Sequence, residues 1–334
     1  SSIGDYAFYG ATSLTSITFA EGSQLSSIEA YAFLGATSLT SITFAEGSQL
    51  SSIEAYAFLG ATALTEITIP ASVTSIGRYA FYRASSLTSI TFAEGSQLSS
   101  IGEGAFEEAT SLTSVTIPEG VTSIGSYAFY GATGLTSVTF ASGSQLTSIG
   151  TYAFYQATSL TSITIPKSVT SIGSYAFENV SNLTSVTFAE GSQLDSIGEG
   201  AFEEATSLTS INIPSGVTSI GLYAFSGATS LTSINIPSGV SSIGINAFAG
   251  ATSLTSVTFA EGSQLDSIGQ SAFSGATSLT SVTIPEGVTS IGDWAFSGAT
   301  SLTSITIPTS VTSIGTYAFE EASSLTTVYI ANGQ

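Results

Sequence analysis

Residues 112–135 read LTSVTIPEGVTSIGSYAFYGATGL, and they contain the plan of the whole chain. Leu112, Val115 and Ile117 alternate with Ser114 and Thr116, the period of a short strand with one face turned inward. Pro118 has no N–H to give a ladder, so it ends the strand, and Glu119-Gly120 turn the chain. Val121 and Ile124 make a second apolar pair on the opposite wall, stopped by Gly125. Ala128 and Phe129 close the core. Gly131-Ala132-Thr133 then return to the next strand, through an expected helical turn.

The Ala-Phe pair of this stretch occurs fourteen times, from Phe8 to Phe319, always 23 or 25 residues from the last. A fixed period of this size means a solenoid, in which each unit buries its apolar face by stacking on its neighbours. The expected fold is a β-rich solenoid of about 14 repeats, with one short strand per coil in a single parallel ladder and every Ala-Phe ring buried. Because such a core grows linearly, residues 1–334 are expected to form one continuous domain without linkers. The two repeat lengths arise at one corner. Seven coils use Ile-Pro-x-x-Val, as at Ile69-Pro70, and six use the longer Phe-Ala-x-Gly-Ser-Gln-Leu, as at Phe188 to Leu194. These corners and the Ala-Phe pairs account for all 20 Phe. Phe is therefore expected to be purely a core residue, its ring filling a wider loop.

Composition excludes several functions. Only 8% of residues are charged, against roughly 25% in ordinary soluble proteins. Arg78, Arg83 and Lys167 stand against 23 acidic residues, for a net charge of −20. Nothing here neutralises phosphates, so nucleic acid is not an expected partner, and anionic membrane surfaces are disfavoured. No apolar run approaches the 18 or more residues of a membrane span, so no membrane insertion is expected. Cys, Met and His are absent, which removes disulfides and the main oxidation-prone side chains. That trait and the scarcity of basic cleavage sites suit a long-lived extracellular protein; composition inherited from one ancestral repeat accounts for them equally. Without an initiator Met or a signal-like segment, the chain is expected to be a mature product or an excised fragment.

The string SIGxYAFxGATSLTSxTIPxxVTSIG resembles the BspA-like, or treponemal-type, leucine-rich repeat family, over the whole chain. The motifs that carry the resemblance are L-x-x-I-x-I-P, V-x-x-I-G and A-F. It implies a right-handed leucine-rich repeat coil with a parallel strand ladder on one face. It also implies a surface or secreted protein of bacteria or some protists, of a kind implicated in adhesion. One departure is that the family often carries Cys where this chain has Ala11, Ala36, Ala132 or Val180.

Two repeated surfaces are candidate binding sites. The outward strand positions form a hydroxyl lattice, with Ser114, Thr116, Ser137, Thr139, Ser162 and Thr164 at its centre, of the type that ice-binding solenoids present. Against this, Thr simply suits an exposed strand. An aromatic precedes Ala-Phe in ten coils, including Tyr127, Tyr152 and Tyr175. The stripe is either a platform for sugar rings or a partner protein, or a stacked ladder shielding the wall. It is interrupted at Gly104, Gly200, Asn246 and Ser271. Acidic residues gather in two coils, one with Glu94, Glu103, Glu107, Glu108 and Glu119 and the other with Glu190, Asp195, Glu199, Glu203 and Glu204. They lack the spacing of a Ca²⁺ loop and read as a solvated face.

Asn179-Val180-Ser181 and Asn182-Leu183-Thr184 are glycosylation sequons, relevant to a secreted eukaryotic protein. With no His or Cys to activate or replace the many serines, catalysis has no support, and neither metal nor cofactor is expected. The leading expectation is an extracellular or cell-surface structural or adhesion protein with protein or glycan partners; the alternative is an ice-binding protein. Finally, the chain opens mid-repeat at Ser1-Ser2-Ile3 and closes on Tyr329-Ile330 and a corner-like Ala331-Asn332-Gly333-Gln334. Ile3, Tyr329 and Ile330 are the expected junction if copies stack head to tail into a filament; an array cut from a longer protein is the plainer reading.

Overall fold

The computed structural model describes residues 1–331, so Asn332 to Gln334 of the corner-like ending lie outside the described residues. Backbone packing divides the chain into two compact units, Ser1–Val169 and Thr170–Gln334. Each is a parallel β-solenoid of seven turns, and no described residue is helical.

Each coil contains two strands where one was expected. The long one is the predicted strand, Ser114–Ile117 in the coil quoted above, and the short one is Ser123–Ile124 on the opposite wall. Long strands pair with long strands and short with short, in two separate parallel ladders within each unit. Ser114 lies beside Ser137 and Val115 beside Val138, while Ser123 lies beside Ser148 and Ile124 beside Ile149. The Ser-Ile pair forms a strand because an identical pair sits one coil away and takes up its backbone groups.

The return from Phe129 is a run of turns, not helical. Tyr127 and Gly131 both have positive φ, 60° and 68°, and alternation with left-handed residues prevents a continuous right-handed helix. The run nonetheless makes a third hydrogen-bonded wall. Tyr31, Phe33 and Gly35 donate their N–H groups to the carbonyls of Ala55, Ala57 and Leu59 in the next coil, at 3.1, 2.8 and 2.9 Å. The intervening Ala32, Leu34 and Ala36 close turns inside their own coil. Tyr175, Phe177 and Asn179 repeat the arrangement in the second unit. In both, these N–H groups point toward the following coil, so the peptide dipoles align along the stack.

Inside the three walls the Phe rings stack nearly parallel. From Phe8 to Phe106 centroids are 4.9 to 5.4 Å apart, and from Phe177 to Phe273 they are 5.2 to 5.4 Å apart. Twelve of the fourteen Ala-Phe rings are fully buried. Phe8 is instead 47% exposed and Phe319 half-buried, because each lies in an outermost described coil with a neighbour on one side only.

The expectation that every Phe is a core residue also fails at the corners. Phe44, Phe92, Phe140, Phe188 and Phe259 are half-buried, whereas Ile69, Ile117 and Ile165 at the same strand position are buried. At the longer corner it is Leu50, Leu98 or Leu146 that fills the core.

The seven prolines control how far the long-strand ladder closes. Where the residue after the strand is Ala, pairing with the preceding coil covers all four residues, as between Glu66–Ile69 and Ser89–Phe92. The Ala93 N–H then donates to the Ile69 carbonyl at 3.0 Å, and Ala141 does the same to Ile117 at 2.9 Å. Where that residue is Pro, no N–H is available, and the pairing stops early. Ser114 and Val115 pair with Ser89 and Ile90, and the register goes no further toward Phe92 and Pro118. The strands open beyond that point.

Replacing Phe129 with Ala is expected to destabilise the first unit by about 3–5 kcal/mol, the range for a fully buried ring. Phe140→Ala should cost distinctly less because its ring is half-buried. Denaturant midpoints with unchanged slopes check the pair; equal losses would contradict the assigned burial.

Candidate binding surface

The long-strand face is polar by construction. Ser114, Thr116, Thr139, Ser162 and Thr164 are exposed and Ser137 is half-buried. Thr116 and Thr139 share a hydroxyl hydrogen bond of 2.8 Å across adjacent coils. Other hydroxyls are committed to the backbone. The Thr113 side chain donates to the Thr88 carbonyl at 3.1 Å and Thr136 to Thr113 at 2.9 Å. Thr122 and Thr147 repeat the pattern before the short strands, at 3.1 and 2.9 Å. Thr flanking the strands thus clamp the coils, and the Ser/Thr positions within the long strands face outward. The register stops short of the Thr position at the steps before Pro70, Pro118, Pro166, Pro214, Pro237 and Pro285, so this lattice is interrupted there. Before Pro308 it continues through Thr283 and Thr306.

Tyr127, Tyr152 and Tyr175 are half-buried and occupy the left-handed position of the third wall, at φ 60°, 55° and 58°. Tyr127 and Tyr152 stack at 5.2 Å. The interruptions of this stripe have a backbone reason invisible in the sequence pattern. Gly104, Gly200, Asn246 and Ser271 share the positive φ, at 57°, 56°, 55° and 54°. Gly and Asn enter that region most easily, so these are conformational equivalents of Tyr in which the ring is dispensed with. The Tyr175 hydroxyl donates to the Glu199 carboxylate at 2.5 Å.

The acidic clusters divide. Glu103, Glu107 and Glu108 come together, with Arg78 Nε 3.5 Å from Glu103 and Arg83 Nε 2.9 Å from Glu108. Burial, reinforced by Glu108 and Glu103, raises Glu107 to about 7, and its Oε2 is buried without a hydrogen-bond partner. In the second unit Glu178, which sequence reading passed over, is raised to about 7 by burial and by Glu203 and Glu204. Its acidic neighbours lie 25 and 26 residues away, so only the coil period could have disclosed the contact. Glu94, Glu119 and Glu190 sit at the corners instead. Among the described residues no group of acidic side chains is arranged to hold a metal ion.

The opened steps form grooves. One is lined by Phe44, Glu46, Thr68, Pro70 and Glu94, and a second by Thr91, Phe92, Thr116, Pro118 and Glu119. In the second unit, Phe188, Glu190 and Pro214 line a third, and Phe259, Pro285 and Glu286 a fourth. Their volumes run from about 330 to 540 Å³. Sequence reading had placed these Phe rings in the core and so missed the grooves. The signal was the order of the corners: each groove lies where a Phe corner is followed by an Ile-Pro corner.

Two parallel ladders, a wall of turns and a stacked aromatic core in 23- and 25-residue coils define a leucine-rich repeat solenoid. A family model described as "BspA type Leucine rich repeat region (6 copies)" matches residues 1–110, 99–231, 147–264 and 218–334. The chain belongs to the BspA-type leucine-rich repeat family. Among solved structures it is similar to a leucine rich cell surface protein from Faecalibacterium prausnitzii, with 30% identity, 96% of this chain and 88% of that one covered, and a TM-score of 0.56. A leucine-rich repeat protein from Bacteroides ovatus is 26% identical, covering 98% and 81%, with a TM-score of 0.70. The pneumococcal vaccine antigen PcpA is 25% identical, covering 96% and 80%, with a TM-score of 0.56. No curated protein matches the chain in sequence.

A carboxyl with a raised folded-state pKa holds its proton longer when folded than when unfolded. Glu107 and Glu178 therefore favour folding fully below the ordinary value of 4.5, and that contribution is lost as pH rises to about 7. Melting temperature is expected to fall between pH 5 and 7.5 by more in the parent chain than in a Glu107→Gln, Glu178→Gln double variant. Identical pH profiles would contradict the assignment.

Proposed function

We propose that this chain is an extracellular or cell-surface repeat protein that holds protein or glycan partners on its repetitive outer surface and performs no catalysis. The observation that carries this reading is the segregation of its chemistry: among the described residues no polar or charged residue is fully buried, and the enclosed carboxylates Glu107 and Glu178 are half-buried. Hydroxyls, tyrosines and carboxylates instead recur outside, coil after coil, where a partner can meet several at once. The similarity to a Faecalibacterium cell surface protein and to a pneumococcal antigen supports the same compartment. No helix among the described residues is long and apolar enough to cross a membrane. The ice-binding alternative requires an unbroken hydroxyl lattice, which the proline steps interrupt.

Purified chain is expected to bind saturably to at least one member of a panel of matrix proteins, cell-surface proteins and glycans. Thr116→Glu, Thr139→Glu and Thr164→Glu together should weaken this by roughly tenfold if the strand face carries it. Absence of saturable binding across the panel would overturn the reading.

Head-to-tail assembly is favoured by a separate observation. Val328, Tyr329 and Ile330 are 50%, 61% and 66% exposed, and Tyr6 and Phe8 are 53% and 47% exposed, while Ile3 is half-buried. In the third wall each coil donates to the following one, as Trp294, Phe296 and Gly298 do to Thr316, Ala318 and Glu320. By the same period Tyr317, Phe319 and Glu321 would offer the next donor row and Asp5, Ala7 and Tyr9 the first acceptor row. Donor row and acceptor row match as adjacent coils do, so copies of this chain would join in one polarity only. Sedimentation velocity at rising concentration should show a growing series of species, suppressed by Tyr329→Lys with Ile330→Lys. A strictly monomeric chain would overturn the assembly reading.

A further inference from the structure

We infer that two open steps of the first unit, those before Pro70 and Pro118, bind the basic side chains of a protein segment in the polyproline II conformation. This rests on reading the chain as a partner-binding surface, and it names a site and a ligand class for that reading. The evidence begins with the backbone. At the step before Pro118 the next coil has no N–H for the Phe92 carbonyl, where Ala93 and Ala141 supply one at closed steps. The groove beside it is therefore rich in acceptors: carbonyl oxygen and the hydroxyls of Thr91 and Thr116, with Glu119 at its rim, the carboxylate lying over Gly143 of the following coil. The groove before Pro70 offers Thr68, Glu46 and Glu94 in the same way. Cationic donors are scarce on a chain with three basic residues.

The floor of each groove selects the shape of the cation. The Phe44 ring is stacked on Phe19 at 4.8 Å on one face, while the following coil presents Ile69 and Pro70 without an aromatic. Phe92 likewise lies next to the Ile117-Pro118 corner. A planar guanidinium stacks on an aromatic face while its N–H fork reaches carbonyl and carboxylate together, which an ammonium does less well. Arg is thus the preferred occupant and Lys the weaker one.

Spacing selects the conformation of the segment. The grooves at Phe44 and Phe92 are two coils apart, about 9.6 Å at a strand spacing of about 4.8 Å. A polyproline II helix rises about 3.1 Å per residue with three residues per turn, so every third side chain faces the same way at about 9.3 Å. In a β-strand the third residue points to the opposite face. In an α-helix it lies only about 4.5 Å along the axis. The next open step, at Phe140 and Pro166, has Ser142 in place of the corner Glu and carries Lys167. It would take an acidic or neutral residue, which gives the bound segment a direction. In the second unit the grooves at Phe188 and Phe259 lie three coils apart, about 14 Å, and do not match this helix.

The test uses three end-blocked peptides, each with two Arg in a proline background, spaced two, three or four residues apart, titrated calorimetrically into the full chain at physiological ionic strength. The three-residue spacing is expected to bind at least fivefold more tightly than the others. Pro70→Ala with Pro118→Ala leaves charge unchanged, supplies the missing N–H groups and closes both steps; it should remove that advantage. Pro214→Ala with Pro285→Ala should leave it intact. Glu46→Gln, Glu94→Gln and Glu119→Gln together should weaken all three peptides. Equal affinity at every spacing, or an unchanged preference in the Pro70, Pro118 variant with a native unfolding transition, would overturn the proposal. In that event, retained binding in the matrix and glycan panel would leave the broader surface reading standing; loss of both would end it too.

Discussion

Every coil has to hand its backbone hydrogen bonds to the next. With few charged side chains and no disulfides, the solenoid depends on this one constraint. Three walls meet it in different ways: a long-strand ladder, a short-strand ladder, and a run of turns whose alternate peptides point along the stack. Once the backbone is matched on all three sides, identical side chains are brought to the same height. Ile lies on Ile, Ala on Ala and Phe on Phe, at spacings set by the walls. The stacked rings from Phe8 to Phe106 and from Phe177 to Phe273 are a consequence of that register as much as a cause of stability.

Prolines are the deliberate exception. Each removes one donor from the long-strand ladder, so the ladder closes fully over Ala93 and Ala141 and opens before Pro70 and Pro118. Where the coil before it ends in Phe, the opening leaves an aromatic ring half uncovered beside carboxylates and hydroxyls. A repeat that looks uniform in composition therefore carries an alternation of closed and open steps. The order of two corner sequences along the chain writes that alternation.

The tyrosine stripe follows a similar logic. Its position needs a left-handed residue, which Gly or Asn supplies with least strain, yet Tyr or Trp stands there in ten coils. Side chains at this position must give back enough in stacking, as Tyr127 does on Tyr152, or in hydrogen bonding, as Tyr175 does with Glu199, to offset the strained φ. The same stripe is then both part of the wall and part of the surface offered to a partner.

Periodicity alone determined the solenoid, the strand at Ser114–Ile117, the buried Ala-Phe rings of the inner coils and the outward Ser/Thr face, because each repeats at a spacing that only stacking explains. The second strand at Ser123–Ile124 was not legible, since two residues make no pattern until an identical pair lies beside them. Nor was the turn run after Phe129, whose small residues fit a helical turn until Tyr127 is seen with positive φ. The half-exposed corner Phe, the grooves and the raised pKa of Glu107 and Glu178 were decided by tertiary structure. The Phe exposure, the grooves and Glu178 depend on what the neighbouring coil places 23 to 26 residues away, where hydrogen-bond donors, ring faces and charges meet across coils, while Glu107 depends on its own burial beside Glu103 and Glu108 of the same coil.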